Sequence, residues 1–207
     1  MELRARQRYW NQVAGEKTFQ HPLRLDWLDS HLSGRRDILD CGCGQGRLLA
    51  ELSRRGYDHA VGVDFAEAML RRSQVLHPDL SLRLVQIDGR TLPFRDDSFD
   101  AVLLFTLLTC MPMDTEQRGL FGEVQRVLRP SGLVYISDLL LNADSRNVSR
   151  YEEFADQFGV YGVFRLPVPL PAVIHWTSPA AIAPRLPMLS PCSTVPASTY
   201  VMVSRPR

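Results

Sequence analysis

Residues 38–47, ILDCGCGQGR, set one acid and three glycines at a spacing that suits a charged ligand. The short apolar run Ile38-Leu39 delivers Asp40, and Gly42, Gly44 and Gly46 then alternate through a turn into a helix predicted over 46–55. Glycines admit positive φ and let a ligand approach the main chain closely. The start of the following helix offers unpaired N–H groups and the positive end of a dipole, which favour a carboxylate. Asp40 is placed to meet an ammonium. The loop therefore suits a zwitterionic amino-acid ligand better than a pyrophosphate. The dinucleotide fingerprint G-x-G-x-x-G also fails on spacing: begun at Gly42 it meets Arg47, and begun at Gly44 it meets Leu49.

Two further acids sit where strands should end. Asp64 closes VGVD, 22 residues after Gly42, and a carboxylate there accepts hydrogen bonds from both hydroxyls of a ribose. It also serves as a cap for a helix over 66–76, and the two roles are compatible. Phe65 lies against an adenine or packs in the core. Asp88, in QIDGRTLPF, receives an adenine amino group or makes an Asx turn before Gly89.

The elements that must hold these residues alternate regularly. Helices are expected over 3–14 and 22–32, the second with Pro22 at its start and Leu25, Leu28 and Leu32 on one face. Strands follow at 38–39, 60–63, 82–87, 99–105 and 133–137, separated by helices at 46–55, 66–76 and 114–128. The strands are apolar without alternation, as in a parallel sheet covered on both faces. Right-handed crossovers make this an α/β, doubly wound, Rossmann-like fold of three α/β/α layers.

Bulk properties narrow the partners. A chain of 207 residues with 45% hydrophobic content fits one domain. A formal net charge of +1 supplies no field to recruit nucleic acid or an anionic membrane, and points to a small acceptor. Cys41, Cys43, Cys110 and Cys192 make neither a zinc spacing nor a disulfide framework, so no metal is expected and reduced thiols in the cytoplasm are the simplest reading. The start, MELRARQRYW, has no apolar signal region, and no stretch reaches the ~20 apolar residues of a membrane span. Beyond residue 157 there is no Asp or Glu, and nine of the fourteen Pro lie between Pro167 and Pro206. Of this segment only 199–204, TYVMVS, reads as a strand; the rest is a lid, an edge hairpin or a diverged terminus.

Taken in order, ILDCGCGQGR, VGVDFAEAML, IDGRTLPFRDDSFDAVLLF and LFGEVQRVLRPSGLVYIS resemble the successive motifs of the type 11 class I methyltransferases, which use S-adenosylmethionine (SAM). The resemblance covers roughly residues 36–140. It implies a seven-stranded sheet, mostly parallel, whose last strand, 199–204, is antiparallel. It implies methyl transfer from SAM to a small-molecule acceptor, leaving S-adenosylhomocysteine. The competing reading is a methyltransferase fold that binds SAM without transferring the methyl group. Carried over, the resemblance gives SAM contacts at Asp40, Gly42, Gly44, Asp64, Phe65, Asp88 and Gly89, with Phe105 bordering the methionine part through its backbone. Tyr9 and Trp10 are similar in position to an N-terminal helix that closes over SAM, the alternative being core packing. Ser131 stands where the family usually has glycine.

The implied layout is a single domain over 1–207: a helical cap at 1–35, a SAM-binding core at 36–140, and an acceptor-side segment with the C-terminal strand at 141–207. The protein is expected as a monomer or homodimer. The segment after strand 5 holds Tyr151, Phe154, Phe158, Tyr161, Phe164 and Trp176, enough aromatic surface to enclose an apolar or planar acceptor. His21, Asp138, Tyr151, Tyr161 and His175 are further pocket candidates, each also readable as structural. Arg4, Arg6 and Arg8 read as a solvated helix face, and Cys41 and Cys43 as buried thiols beside the glycine turn. No residue presents itself as a catalytic base.

Overall fold

Short apolar runs, each followed by a helix, fold as parallel strands joined by crossovers. A computed structural model describes residues 3–19, 23–32, 37–111, 113–138, 145–158, 163–165, 173–175, 189–191 and 199–204. Two helices come first, α1 (Leu3–Val13) and α2 (Leu25–His31). The alternating core then runs β1 (Ile38–Cys41), α3 (Arg47–Arg54), β2 (Val61–Asp64), α4 (Glu67–Leu76), β3 (Arg83–Gln86) and β4 (Phe99–Phe105). A 3-10 turn (Leu108–Cys110), α5 (Asp114–Val127) and β5 (Leu128–Ser137) complete it. After these come α6 (Ser145–Phe158), β6 (Val163–Arg165), β7 (Val173–His175), β8 (Leu189–Pro191) and β9 (Thr199–Ser204).

The main sheet has seven strands in the order β3-β2-β1-β4-β5-β9-β8. The first five are mutually parallel, and β9 pairs antiparallel with both β5 and β8. Chain order reverses between β1 and β4, so a crevice opens at their carboxyl ends, the place where open α/β sheets bind ligands.

Side chains alternate across β4 and build two cores. Val102 and Leu104 face α5, packing with Phe121, Val124 and Val127. Ala101, Leu103 and Phe105 face the other way, toward Trp27, Leu28, Leu48 and Leu52 of α2 and α3. Each such buried Leu or Phe stabilises the fold by roughly 1.5–3 kcal/mol. Both faces are covered, which makes the three layers.

Several details differ from the sequence-based expectation. The helix expected over 22–32 spans only Leu25–His31 and is entered through Arg24; Pro22 lies outside the described residues. β5 begins at Leu128 and not at 133, because Leu128 pairs with Phe99 before the register shifts at Ala101. The turn inside β5 puts Ser131 at φ 64, the left-handed region. Helix α6 was not expected; of the alternatives for the later segment, β8 and β9 make an antiparallel edge hairpin, and β6 and β7 form a separate one. His21, Tyr161 and Trp176 lie outside the described residues. Among the described residues, no helix is long and apolar enough to cross a membrane.

Candidate functional site

At the carboxyl ends of β1, β2 and β4 lies a cavity of about 1100 Å³. Ligand pockets commonly measure ~300–1,000 Å³, so this one has room for two small molecules side by side. Asp40, Gly42, Gly44, Asp64, Phe65, Asp88, Gly89, Phe105 and Trp10 all line it. Residues spread over nearly a hundred positions thus converge on one space.

The glycine turn forms the cavity floor. The N–H groups of Gly42 and Cys43 both donate to the Val63 carbonyl, at 2.8 and 2.9 Å, which pulls the turn across the end of β2. Gly42 sits at φ 78, and a Cβ there would lie 2.9 Å from Leu107 Cδ1. Only glycine fits without a shift. Gly46, also left-handed at φ 72, starts α3, whose first residues Arg47 and Leu48 line the cavity. Cys41 and Cys43 are buried beside the turn, as expected.

Asp40 is 1% exposed and its Oδ2 has no hydrogen-bond partner. Burial pushes its carboxyl up to about 7, against the opposing pull of Arg47 and with a further push from Asp64. Asp64 is better served. Its Oδ2 accepts from the Gly44 N–H at 2.9 Å and its Oδ1 from the Ala66 N–H at 2.8 Å. Burial raises its carboxyl and those N–H groups oppose the rise. An ionised carboxylate offers about four lone-pair sites, so acceptor capacity remains toward the cavity. Asp88 makes the Asx turn: its Oδ1 accepts from Arg90 and Thr91 N–H at 2.8 and 3.1 Å. These bonds, the one from Thr91 foremost, hold its carboxyl below the ordinary range.

Helix α1 covers the cavity through polar ties to three other parts of the chain. Gln7 Nε2 donates to the Phe65 carbonyl at 2.7 Å, and Asn11 Oδ1 accepts from the Ala68 N–H at 2.8 Å. From the glycine turn, Gln45 Nε2 donates to the Ala14 and Lys17 carbonyls at 2.7 and 2.8 Å. Arg6 grips Glu116 of α5 with two bonds of 2.7 Å and donates to the Cys110 carbonyl at 3.2 Å. The solvated-face reading of Arg4, Arg6 and Arg8 therefore fails for Arg6, which is only 4% exposed. Tyr9 does not line the cavity; it is buried edge-on against Trp10, with ring centroids 5.1 Å apart. Adjacent helical positions point about 100° apart, so one of the pair faces the cavity and the other the core.

Beyond β4 the chain turns sharply. Thr106 lines the cavity at φ 47, an outlier for a β-branched residue, and its N–H donates to the Ser137 carbonyl at 2.8 Å. Asp138, read from the sequence as a pocket candidate, instead caps the 3-10 turn, accepting from Leu108 and Thr109 N–H at 2.8 and 3.2 Å. Tyr151 is 1% exposed and lies outside the cavity lining. His175 belongs to β7, which lies beside the 3-10 turn. Two glutamates line this end, and both are engaged. Glu116 is held by Arg6, and Glu123 by Arg126 at 2.8 Å and by the Leu92 N–H at 2.7 Å. The Cys110 thiol is pushed up to about 12, chiefly by burial. Sequence reasoning missed Arg6, Gln7, Gln45, Thr106 and Glu116; their types carry no local signal, since each acts through a partner distant in the chain.

The same region matches known proteins. Residues 39–136 match the family model described as a methyltransferase domain. The ubiquinone biosynthesis O-methyltransferase of Acinetobacter baylyi is 29% identical over 145 residues, covering 67% of this chain and 60% of the relative. Its counterpart in Neisseria meningitidis serogroup A is 30% identical over the same shares. The chain thus spans about 60% of the length of the curated relatives it matches. A solved SAM-dependent methyltransferase from Methanosarcina mazei shares the fold with a TM-score of 0.79 at 20% identity, covering 92% of this chain and all of that one. Motifs, topology and comparisons agree: residues 39–136 match the methyltransferase domain family, and the chain shares the fold of a solved SAM-dependent methyltransferase.

Proposed function

We propose that this protein binds SAM in the cavity and transfers its methyl group to a small-molecule acceptor. The observation that carries the reading is Asp40: a buried carboxylate oxygen without a partner, beside a glycine turn at the sheet's reversal point. A ligand ammonium would satisfy it. Gly44, left-handed and with open space where a side chain would stand, fits a ligand pressed against the backbone.

In this reading Asp40 receives the ammonium, and the start of α3 receives the carboxylate. Asp64 accepts from the ribose hydroxyls. Phe65 lies against the adenine, Asp88 accepts from its amino group, and Gly89 leaves room beside it. Gly42, Gly44, Trp10 and Phe105 border the remainder; Tyr9 supports Trp10 from the core. SAM supplies a methyl carbon already activated by its sulfonium charge. The chain's own contribution is orientation and exclusion of water, for which intramolecular models allow up to ~7–11 kcal/mol. With Glu116 and Glu123 both held by arginines, no base is assigned.

The acceptor enters from the side of Cys110, Met111 and Leu120, where apolar lining dominates. The position of β7 beside the 3-10 turn supports a role for residues 141–198 in acceptor access. The layout is a single domain: a cap at 1–35, a SAM-binding core at 36–140 and an acceptor-side segment at 141–207. It works in the cytoplasm as a monomer or homodimer, and the near-neutral charge supports a partner other than nucleic acid. Calorimetric titration tests the core of this. SAM and S-adenosylhomocysteine are expected to bind and NAD is not, after which a panel of small acceptors is read for S-adenosylhomocysteine release. NAD binding without SAM binding would overturn the reading; SAM binding with no turnover on any acceptor would favour a binding protein.

A further inference from the structure

Asp40 is almost completely enclosed by its neighbours. It lines the cavity from β1, yet is 1% exposed, and its Oδ2 lacks a hydrogen-bond partner. Its ladder neighbours, Gly62 on β2 and Leu103 on β4, carry no charge. The charged and titratable groups that face it are Arg47 and Glu51 from α3, Asp64 from β2, and the flanking thiols of Cys41 and Cys43. Arg47 gives limited help because Glu51 already holds it at 2.6 Å. A carboxylate left unpaired in such a place is costly, and taking up a proton removes the cost.

We propose that Asp40 is a neutral acid in the free protein and surrenders its proton when a ligand ammonium enters the cavity, so that binding of an amino-acid-bearing ligand is coupled to pH. The inference rests on the reading that SAM occupies this cavity. In the exchange the Asp40 O–H bond breaks and its proton passes to solvent. The carboxylate then accepts an N–H hydrogen bond from the ammonium, so one negative charge appears beside one positive charge and one proton is released per ligand bound. With the free carboxyl at about 7, the sign follows. Above that pH the group is already ionised, and affinity holds until the ligand α-amino group loses its own proton near about pH 8. Below it the dissociation constant rises with falling pH, approaching about tenfold per pH unit.

Isothermal titration in buffers of different ionisation heat counts the released protons. At about pH 6, where a ligand α-amino group is fully charged, SAM and S-adenosylhomocysteine are each expected to release close to one proton. The probe 5′-methylthioadenosine, which keeps the nucleoside and lacks the amino acid, is expected to release none. Asp40→Asn should release no proton with any of the three, and should bind SAM and S-adenosylhomocysteine more weakly than the unsubstituted protein does. Carbon-13 NMR of labelled aspartate in the unsubstituted protein, with and without S-adenosylhomocysteine, reads the same titration should the variant misfold. SAM binding without proton release, equal release by 5′-methylthioadenosine, or unchanged release in Asp40→Asn each overturns the coupling while leaving SAM binding intact. No SAM binding at any pH overturns both the coupling and the reading beneath it.

Discussion

Arg6 on α1 and Glu116 on α5, 110 positions apart, join beside the cavity through two bonds of 2.7 Å. The guanidinium fork matches the carboxylate, the strongest geometry such a pair can take. Arg6 is nearly buried, at 5% side-chain exposure, while Glu116 keeps 29%. The two ends of the bridge are therefore unequal. Glu116→Gln leaves a buried guanidinium short of charge, and should cost about 2–4 kcal/mol. Arg6→Met leaves a partly hydrated carboxylate and should cost about 1–2 kcal/mol less. Urea denaturation of both single variants and the double variant measures this. Equal losses in the two single variants would contradict the asymmetry.

Asp40→Asn should stabilise the protein at alkaline pH. A carboxyl held at about 7, against an ordinary value near 3.9, favours the folded state only while protonated. Its contribution is fully present below about pH 4, is lost as pH rises to about 7, and stays lost above that. The advantage of the asparagine variant should grow from near zero at about pH 4 to as much as ~4 kcal/mol at about pH 8. Denaturation curves at the two pH values check it.

Asp64→Ala should damage the fold and ligand binding together. Its carboxylate ties the Gly44 N–H to the Ala66 N–H, so the glycine turn and the entry to α4 both lose an anchor. Hydrogen bonds to a charged group contribute roughly 1.5–3 kcal/mol each. We expect a melting temperature lower by several degrees and at least about tenfold weaker SAM binding per folded molecule. Unchanged affinity in the folded fraction would reduce Asp64 to a structural tie.

Gly46→Ala should fail for two separable reasons. The position is left-handed at φ 72, and a Cβ there would collide with the Ser73 side chain. The backbone part costs about 1–2 kcal/mol and the collision about 1–3 kcal/mol. Adding Ser73→Ala, which removes the colliding hydroxyl and keeps a helix former inside α4, should recover most of the second part when compared with Ser73→Ala alone. Recovery of the full loss would show that the backbone conformation is not strained.

Ser131→Gly should raise stability. Ser131 occupies φ 64, where a side chain costs about 1–2 kcal/mol, partly offset by the extra freedom glycine brings to the unfolded chain. A net gain of about 0.5–1 kcal/mol is expected, or roughly 1–4 °C in a chain of this size. Thermal melting tests it, and a lower melting point would refute it.

Much of the fold was legible because its determinants are local. Apolar runs without alternation gave the buried strands at 61–64 and 99–105 to within a residue, since a strand covered on both faces has no polar side to show. The glycine turn and the acids at 40 and 64 were legible for a similar reason: a tight turn and a strand end each restrict residue type. Helix α6 was readable in principle, with Val148, Tyr151, Ala155 and Phe158 at helical intervals, but the aromatic content of the segment invites a substrate-facing reading instead. What tertiary structure alone decided is how distant groups pair. Nothing near Arg6 in the chain announces Glu116, and nothing near Gln45 announces the Ala14 carbonyl. The choice between Tyr9 and Trp10 depended on how α1 is rotated against the cavity, and Thr106 is bent by what it joins, not by what it is. Asp40 joins the two levels: its place at the end of β1 follows from the sequence, but its isolation depends on the walls that close around it, because desolvation belongs to the surroundings of a group and not to the group itself.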